Sequence, residues 1–569
     1  MAQQLYFSRD TRMFIQFRNP ADNTETSTKL GAGAVWEVPV LDGYSFSQTT
    51  NTSEITLAEM ESTAGISRRG RRMFTDSLAP AEWSFSTYIR PFKSKAGSVT
   101  PAGSVAASNA AEVHAVEEAF FASMFGADTY TTGSGFTRAT NAAGSGGGVT
   151  GGVITPGSDS SVITIGESNR SALASFTLYF MIDTATSNPL VYRLPEAIVN
   201  EVSVDFDVDG IATLNWSGFS KEVQDVSGNV FIGTAAPSNS ATTTDGSTIA
   251  LGDIFIDTDN EMGRQFNLVS SSASTMGVTP AIDEATTSTK NFIRNRLTSV
   301  SIEAAVAADK ATTFPGQKVT ISAMDSTNNV LTTAAAHGLK TGDQVFITGG
   351  TGVTSLNSTH HFVRVGDETS SYNSSNNATT EFALFTTKAN AEAASGTTGL
   401  VTFTGTYNAN TATASNGKYS LTLTGGNFTI GNNITYLVPE ELGAINKPLE
   451  HVTGTRTATG TATCYLTLED TDLSSGTSRQ FFNDLVGTGA MSQVVNKFKV
   501  TMDVGGAAAS ANTTDPALQI IFPTAHITVP THQIEDVISL ETNFEALPTD
   551  FGTADEITSL TYFPVDDYA

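Results

Sequence analysis

Apolar and polar residues alternate along most of this chain in short runs punctuated by Gly, Asn and Asp. A period of two reads as β-strands with one buried and one solvated face. In the N-terminal part the expected strands are 12–17, 35–46, 82–92, 162–165, 175–182, 190–194, 201–208 and 211–216. Asp42-Gly43 supplies turn chemistry, and Asp209-Gly210 joins the last two strands as a tight hairpin. One stretch breaks the period. Residues 110–125 place Val113, Val116, Phe120 and Phe121 along one side of a helix, with Gly126 as its stop.

The pattern then repeats. Leu5–Phe17 is echoed by Asn291–Ile302, with Phe7, Arg9 and Phe17 opposite Phe292, Arg294 and Ile302. Val38–Phe46 is echoed by Ser420–Phe428, aligning Leu41, Gly43 and Phe46 with Leu423, Gly425 and Phe428. Trp83–Tyr88 answers Ala462–Leu466, Phe120–Gly126 answers Phe481–Gly487, and Val202–Asp209 answers Ile538–Glu545. Five matches in the same order, at a period too long for a solenoid, point to two tandem copies of a whole domain. The second copy is interrupted between strands near 297–304 and 418–423 by short alternating strands and Gly-rich turns. An insertion that long is tolerated at a surface loop. The expected organisation is a first domain at 1–221, a linker with a decorating hairpin at 222–290, a second domain at 291–317 and 417–569, and an inserted surface β domain at 318–416. The fold class is mainly β: two tandem β-sandwich or barrel domains, each with a flanking helix, plus the small all-β insertion.

Composition supports this picture. At 569 residues the chain exceeds one core, only 15% of it is charged, and 33 Phe residues can fill cores or interfaces. With 30 basic against 57 acidic residues the net charge is −27, the wrong overall sign for a protein that grips phosphates. Solubility alone accounts for such a charge, and so does a surface past which DNA must slide without sticking. One cysteine, Cys464, excludes an intrachain disulfide framework. The N-terminus carries no secretory pattern, and no segment has the apolar length of a membrane helix.

Candidate chemistry is sparse. Asp205, Asp207, Asp209 and Gly210 open like a calcium loop, but Trp216 stands where a bidentate Glu is needed. By strand alternation Val202, Val204, Phe206 and Val208 face a core while the three aspartates face outward, with Glu541, Asn543 and Glu545 aligned to them in the second copy. That face is either plain solvated surface or an acidic wall. Arg68, Arg69, Arg71 and Arg72 form the only dense basic cluster; without interleaved aromatics, it reads as a loop docking on a neighbouring subunit's acidic surface. The seven histidines form no ligand constellation, no nucleophile motif or P-loop appears, and no metal, cofactor or catalytic residue is expected.

The ordered segments 36–46, 68–74, 78–92 and 204–219 resemble tail tube proteins of tailed bacteriophages, and the insertion is similar to small β modules that decorate phage structural proteins. The resemblance implies a virion protein made in the host cytoplasm, whose inner sheets join into a continuous barrel around a lumen. It implies a fused pair with three chains completing a pseudo-hexameric ring, and rings stacking into a conduit for DNA. The lumen wall would include Asp205, Asp207, Asp209, Glu541, Asn543 and Glu545, and the inter-subunit loop would be 47–80 with its counterpart at 429–460. Implied partners are further copies of the chain, a tape-measure protein, a tail tip or baseplate initiator, a terminator, a sheath in a contractile tail, and genomic DNA passing unbound. The alternative reading is a tail fibre or surface adhesin that binds host glycans through 318–416.

Overall fold

The computed structural model describes residues 6–8, 11–18, 35–55, 72–93, 112–127, 129–131, 135–137, 153–158, 160–165, 173–182, 188–258, 265–269, 275–276, 293–311, 313–365, 379–393, 396–405, 412–439, 446–467, 476–486, 497–505, 516–534, 537–550, 553 and 555–563. The fold is mainly β, and its strands build two layers. The inner layer is one antiparallel sheet in the order Ser45–Ser47, Ala81–Tyr88, Thr213–Ser220, the 201–207 end of Leu190–Asp207, Leu423–Gly431, Thr457–Tyr465 and Ile538–Ala546. Its central join brings residues of the two halves together, from Glu201 opposite Gly431 to Asp207 opposite Gly425.

The outer layer shows the same pairing order in each half. Val35–Glu37, Thr11–Phe17, Phe176–Ile182 and the start of Leu190–Asp207 lie side by side in the first. Lys418–Leu421, Ser299–Ala304, Phe498–Val504 and Leu518–Ile527 do so in the second. Leu190–Asp207, read from sequence as two strands, is one strand that crosses from outer to inner layer. At the crossing Glu196 takes φ 53°, and its carbonyl accepts the Tyr436 hydroxyl at 2.6 Å. The terminal strand Ser559–Tyr562 pairs with both Ser161–Thr164 and Leu518–Ile527, which ties the halves together a second time.

Aromatic rings fill the space between layers. Trp83, Phe85, Phe120, Phe121, Phe176 and Trp216 are all buried, with Phe120 5.1 Å from Phe85 and Phe121 4.9 Å from Trp216. The tryptophan N–H groups keep partners: Trp216 donates to the Thr87 hydroxyl at 3.0 Å and Trp83 to the Phe219 carbonyl at 3.2 Å. The helix expected over 110–125 is shorter, Glu118–Met124, and all seven residues are buried. Val113–Ala115 instead pairs with Pro91–Lys93, and the Glu118 carboxylate accepts the Ala115 amide. Strand pairing thus prevails over helical spacing in the first turn. The corresponding helix Ser478–Val486 packs Phe481 against Tyr419 and Phe498.

The described residues of 222–290 hold more than a decorating hairpin. Val230–Gly233 and Ile254–Asp257 are parallel, and with Gln265–Val269 and Thr275–Met276 they form a four-stranded sheet. That sheet buries Ile254, Ile256, Phe266 and Leu268 on Phe14, Tyr179 and Met181, with Phe14 and Phe266 stacked at 4.3 Å. It covers the outer face of the first half. Between Lys318 and Ser415, six strands close into a barrel around its own core, which includes Ile321, Leu331, Ile347, Val363 and Leu384. Closure leaves the barrel no free edge. Its two connecting chains run together, the Gln317 amide donating to the Asn416 side chain at 3.1 Å.

Candidate functional site

The outward face of the inner sheet is the chemically distinctive surface. Pairing registers it in rows: Ser86, Asn215, Ser203, Thr429, Thr459 and Glu545 stand across six strands, and Asn215, next to Ser203 in that row, donates from its side chain to the Asp205 carboxylate at 3.1 Å. The next row runs through Tyr88, Thr213, Asp205, Asn427, Thr461 and Asn543, and the one beyond through Asp207, Gly425, Thr463 and Glu541. Between them, Val202, Val204, Phe206, Leu214, Trp216, Phe428, Leu540 and Phe544 point into the core. A face this regular arises because the strand period alternates small hydroxyl side chains outward with apolar ones inward.

Six carboxylates belong to the inner-layer segments, Glu82, Glu201, Asp205, Asp207, Glu541 and Glu545, and with Leu190–Asp207 counted only over 201–207 these segments contain no lysine or arginine. The face is therefore acidic and otherwise neutral, built of Ser, Thr and Asn. It offers hydroxyl and amide dipoles among carboxylates, whose negative charge opposes a phosphate.

The structure sorts the six acidic-face residues expected from sequence. Asp205, Asn543 and Glu545 stand exposed on the sheet, and Glu541 is half-buried, accepting from Gln533 at 2.6 Å. Asp207 shapes the turn that follows its strand, because its Oδ1 accepts the amides of Asp209 and Gly210 at 3.2 and 2.7 Å. Asp209 lies beyond the strand end, paired with Arg296 at 3.5 Å, both largely exposed. The alignment of 202–209 with 538–545 is corrected by the pairing. Ile538–Ala546 lies beside Thr457–Tyr465 as Thr213–Ser220 lies beside Ala81–Tyr88, so in pairing order it matches Thr213–Ser220 and not 202–209. Sequence reasoning missed Glu82 and Glu201; the outward positions of 82–88 and 201–207 carried that signal. Arg68, Arg69 and Arg71 lie outside the described residues, and Arg72 begins the strand Arg72–Leu78, which pairs with Thr50–Ile55.

Other titratable groups serve the interior. His114 is buried; desolvation opposes its charge, but Glu118 at 2.9 Å and Glu112 override this and push its pKa up to about 9. Burial pushes the Glu117 carboxyl up to about 7 despite the 2.7 Å hydrogen bond donated by Tyr562. Burial also raises the Cys464 thiol to about 11, leaving little thiolate for chemistry. Among the described residues no three His, Cys, Asp or Glu side chains are placed to hold a metal ion, and no helix is long and apolar enough to cross a membrane.

No family model matches the chain. Over 141 residues it is 36% identical to tail tube protein pb6 of Escherichia phage T5, a stretch that covers 25% of this chain and 28% of that protein. The chain is thus akin to a phage tail tube protein, a structural virion component, and spans less than a third of that relative's length.

Proposed function

We propose that the chain is a duplicated tail tube subunit, three copies of which form a pseudo-hexameric ring, with rings stacked into a hollow conduit for DNA. The observation that carries this reading is the central join of the inner sheet: residues 201–207 of one half pair with 425–431 of the other in seven successive positions. A sheet that crosses from half to half can cross from chain to chain, and closing it removes exposed edges.

Packing supports the duplication. Phe46 pairs with Trp83 and its match Phe428 with Gly460; Trp83 pairs with Gly218, and Gly460 with Phe544. Trp83 and Gly460 therefore occupy equivalent places, as do Gly218 and Phe544. A Cβ on Gly218 would lie 2.3 Å from the Trp83 ring, and one on Gly460 would lie 2.4 Å from the Phe544 ring. The large and the small partner have exchanged strands between the halves while the volume of the pair is kept, as close packing demands.

The acidic face would line the lumen. DNA carries one charge per roughly 1.7 Å of axis, and repulsion acting over about 8–10 Å at physiological salt keeps it off the wall. The strand pairs Thr50–Ile55 with Arg72–Leu78 and Thr435–Leu437 with Glu450–Val452 lie close, the Leu78 amide donating to the Asn446 carbonyl at 2.9 Å, and around them Met73, Phe74, Leu437 and Leu449 are exposed. These would meet the next ring. The four-stranded sheet and the barrel would face outward, and the tape-measure protein, tip initiator and terminator would cap and fill the tube. Electron microscopy of the assembled protein tests the proposal. Stacked rings of three chains around a lumen are expected; particles without a lumen, or six chains per ring, would overturn it.

A further inference from the structure

We infer the register in which one copy joins the next, an inference that rests on the tube reading above. Asp205 pairs with Thr213 and Gln533 with Ser539, and these partners each stand five residues before the equivalent Gly218 and Phe544. Gln533 thus occupies the place of Asp205, and Ile534 that of Phe206. At the opposite edge the Phe46–Phe428 match puts Ser45 in the place of Asn427 and Tyr44 in that of Gly426. Across the internal join Asp205 faces Asn427 and Phe206 faces Gly426. The join between copies therefore sets Gln533 opposite Ser45, Ile534 opposite Tyr44, His532 opposite Phe46 and Thr531 opposite Ser47, with the second copy antiparallel at this edge.

Exposure agrees with an occupant missing from both edges. Phe206 is 4% exposed inside its join, whereas Ile534 is 82% exposed. Phe428 is fully buried, whereas its counterpart Phe46 is only half-buried beside Phe180 and Tyr192. His532 already turns inward against Phe482 at 4.5 Å, the side on which Val204 is buried in the internal join. Faces thus match in the proposed register, since strand side chains alternate.

Side-chain size makes the two joins distinct. Internally a large Phe206 lies on Gly426, where a Cβ would come within 2.7 Å of the ring. Between copies the smaller Ile534 meets the larger Tyr44. The crossed combinations put Phe206 against Tyr44, a collision, or Ile534 against Gly426, a gap. The halves therefore alternate around the ring, each edge rejecting its wrong partner.

Disulfide trapping tests the register, helped by the burial of the single native Cys464. Chains carrying Gln533→Cys are mixed with chains carrying Ser45→Cys, Ser47→Cys or Gly43→Cys, assembled and oxidised. The Ser45→Cys mixture is expected to give the covalent dimer, at least tenfold more than the other two. Preferential trapping through Ser47→Cys or Gly43→Cys, or no trapping in visible tubes, overturns the register while leaving the tube intact; trapping to a different tail protein along virion tubes does the same. Absence of rings from the unmutated chain refutes the tube reading itself. Ile534→Asp, at a side chain exposed in the single chain, is expected to leave a folded monomer that forms no rings; normal rings from this variant overturn the seam.

Discussion

The exchanged ring-and-glycine pair makes a quantitative prediction. In the second half, a methyl at position 460 would sit 2.4 and 2.5 Å from two Phe544 ring carbons and 2.9 Å from the Asn427 carbonyl. Most of that clash is with the far end of a side chain. Gly460→Ala should therefore cost about 1–3 kcal/mol as overpacking. Phe544→Leu removes the offending ring edge, so the double variant should recover at least half of that cost, a coupling of about 0.5–3 kcal/mol. In the first half the equivalent methyl at Gly218 would lie 2.0 Å from the Ile198 backbone oxygen as well as on Trp83. Trimming Trp83 cannot relieve a backbone contact, so Gly218→Ala should stay unrescued by Trp83→Leu. Cys464 supplies the assay for the second half: it lies on the same strand as Gly460, is fully buried, and reacts only when the strand opens. Gly460→Ala should speed labelling of Cys464 by a disulfide reagent roughly 5- to 150-fold at sub-denaturing urea, and the double variant should fall back toward the parent. Labelling in the double variant as fast as in Gly460→Ala would refute the exchanged-packing argument.

The remaining expectations concern the wall, the interior and the insertion. Glu201→Lys with Asp205→Lys and Glu545→Lys should leave tubes intact while DNA release stalls at low salt and recovers at high salt, with each lysine–phosphate contact adding about 0.9 to the salt exponent; salt-independent release would make the face mere solvated surface. His114 is held above its usual 6.5 and Glu117 above its usual 4.5, so both folded forms retain protons that the unfolded chain gives up. Their contribution is complete below the ordinary values and is lost as pH rises through about 7 for Glu117 and about 9 for His114. Thermal melts should thus decline between about pH 5 and pH 9, and His114→Gln should flatten the upper part; an unchanged profile above pH 7 would contradict this. Arg364 donates to the carbonyls of Asn390, Ala391 and Gly396 and stacks 4.1 Å from Phe385, so Arg364→Ala should cost roughly 3 kcal/mol or more through the orphaned carbonyls. Limited proteolysis should then cut within 318–416 first. Deleting 318–416 should leave tube assembly unchanged, and failure to assemble would place the barrel inside the ring architecture.

Local pattern and tertiary pairing contributed different things here. Alternation along the chain was enough to set the class of fold, the inward and outward sides of 201–207 and 538–546, the short-stranded β character of the insertion, and the ordered echo between halves. These depend on nearest neighbours in sequence and on a period of two. Alternation does not say which strand lies beside which, because outward hydroxyls and inward aliphatics look alike on every strand of a two-layer sheet. For that reason 538–545 matched 202–209 by pattern, whereas pairing sets it equivalent to 213–220. The same limit hid Glu82 and Glu201, which join the acidic face only once Ala81–Tyr88 and 201–207 are laid side by side. Long-range contacts also shortened the helix at 110–125, where Val113–Ala115 found Pro91–Lys93, and made 230–233 and 254–257 parallel neighbours over the core of the first half. An ordered echo between the two parts of the chain could be read from residue order alone. That its halves share one sheet, with a ring on a glycine at the join and an unfilled edge at each end, was decided by packing in three dimensions.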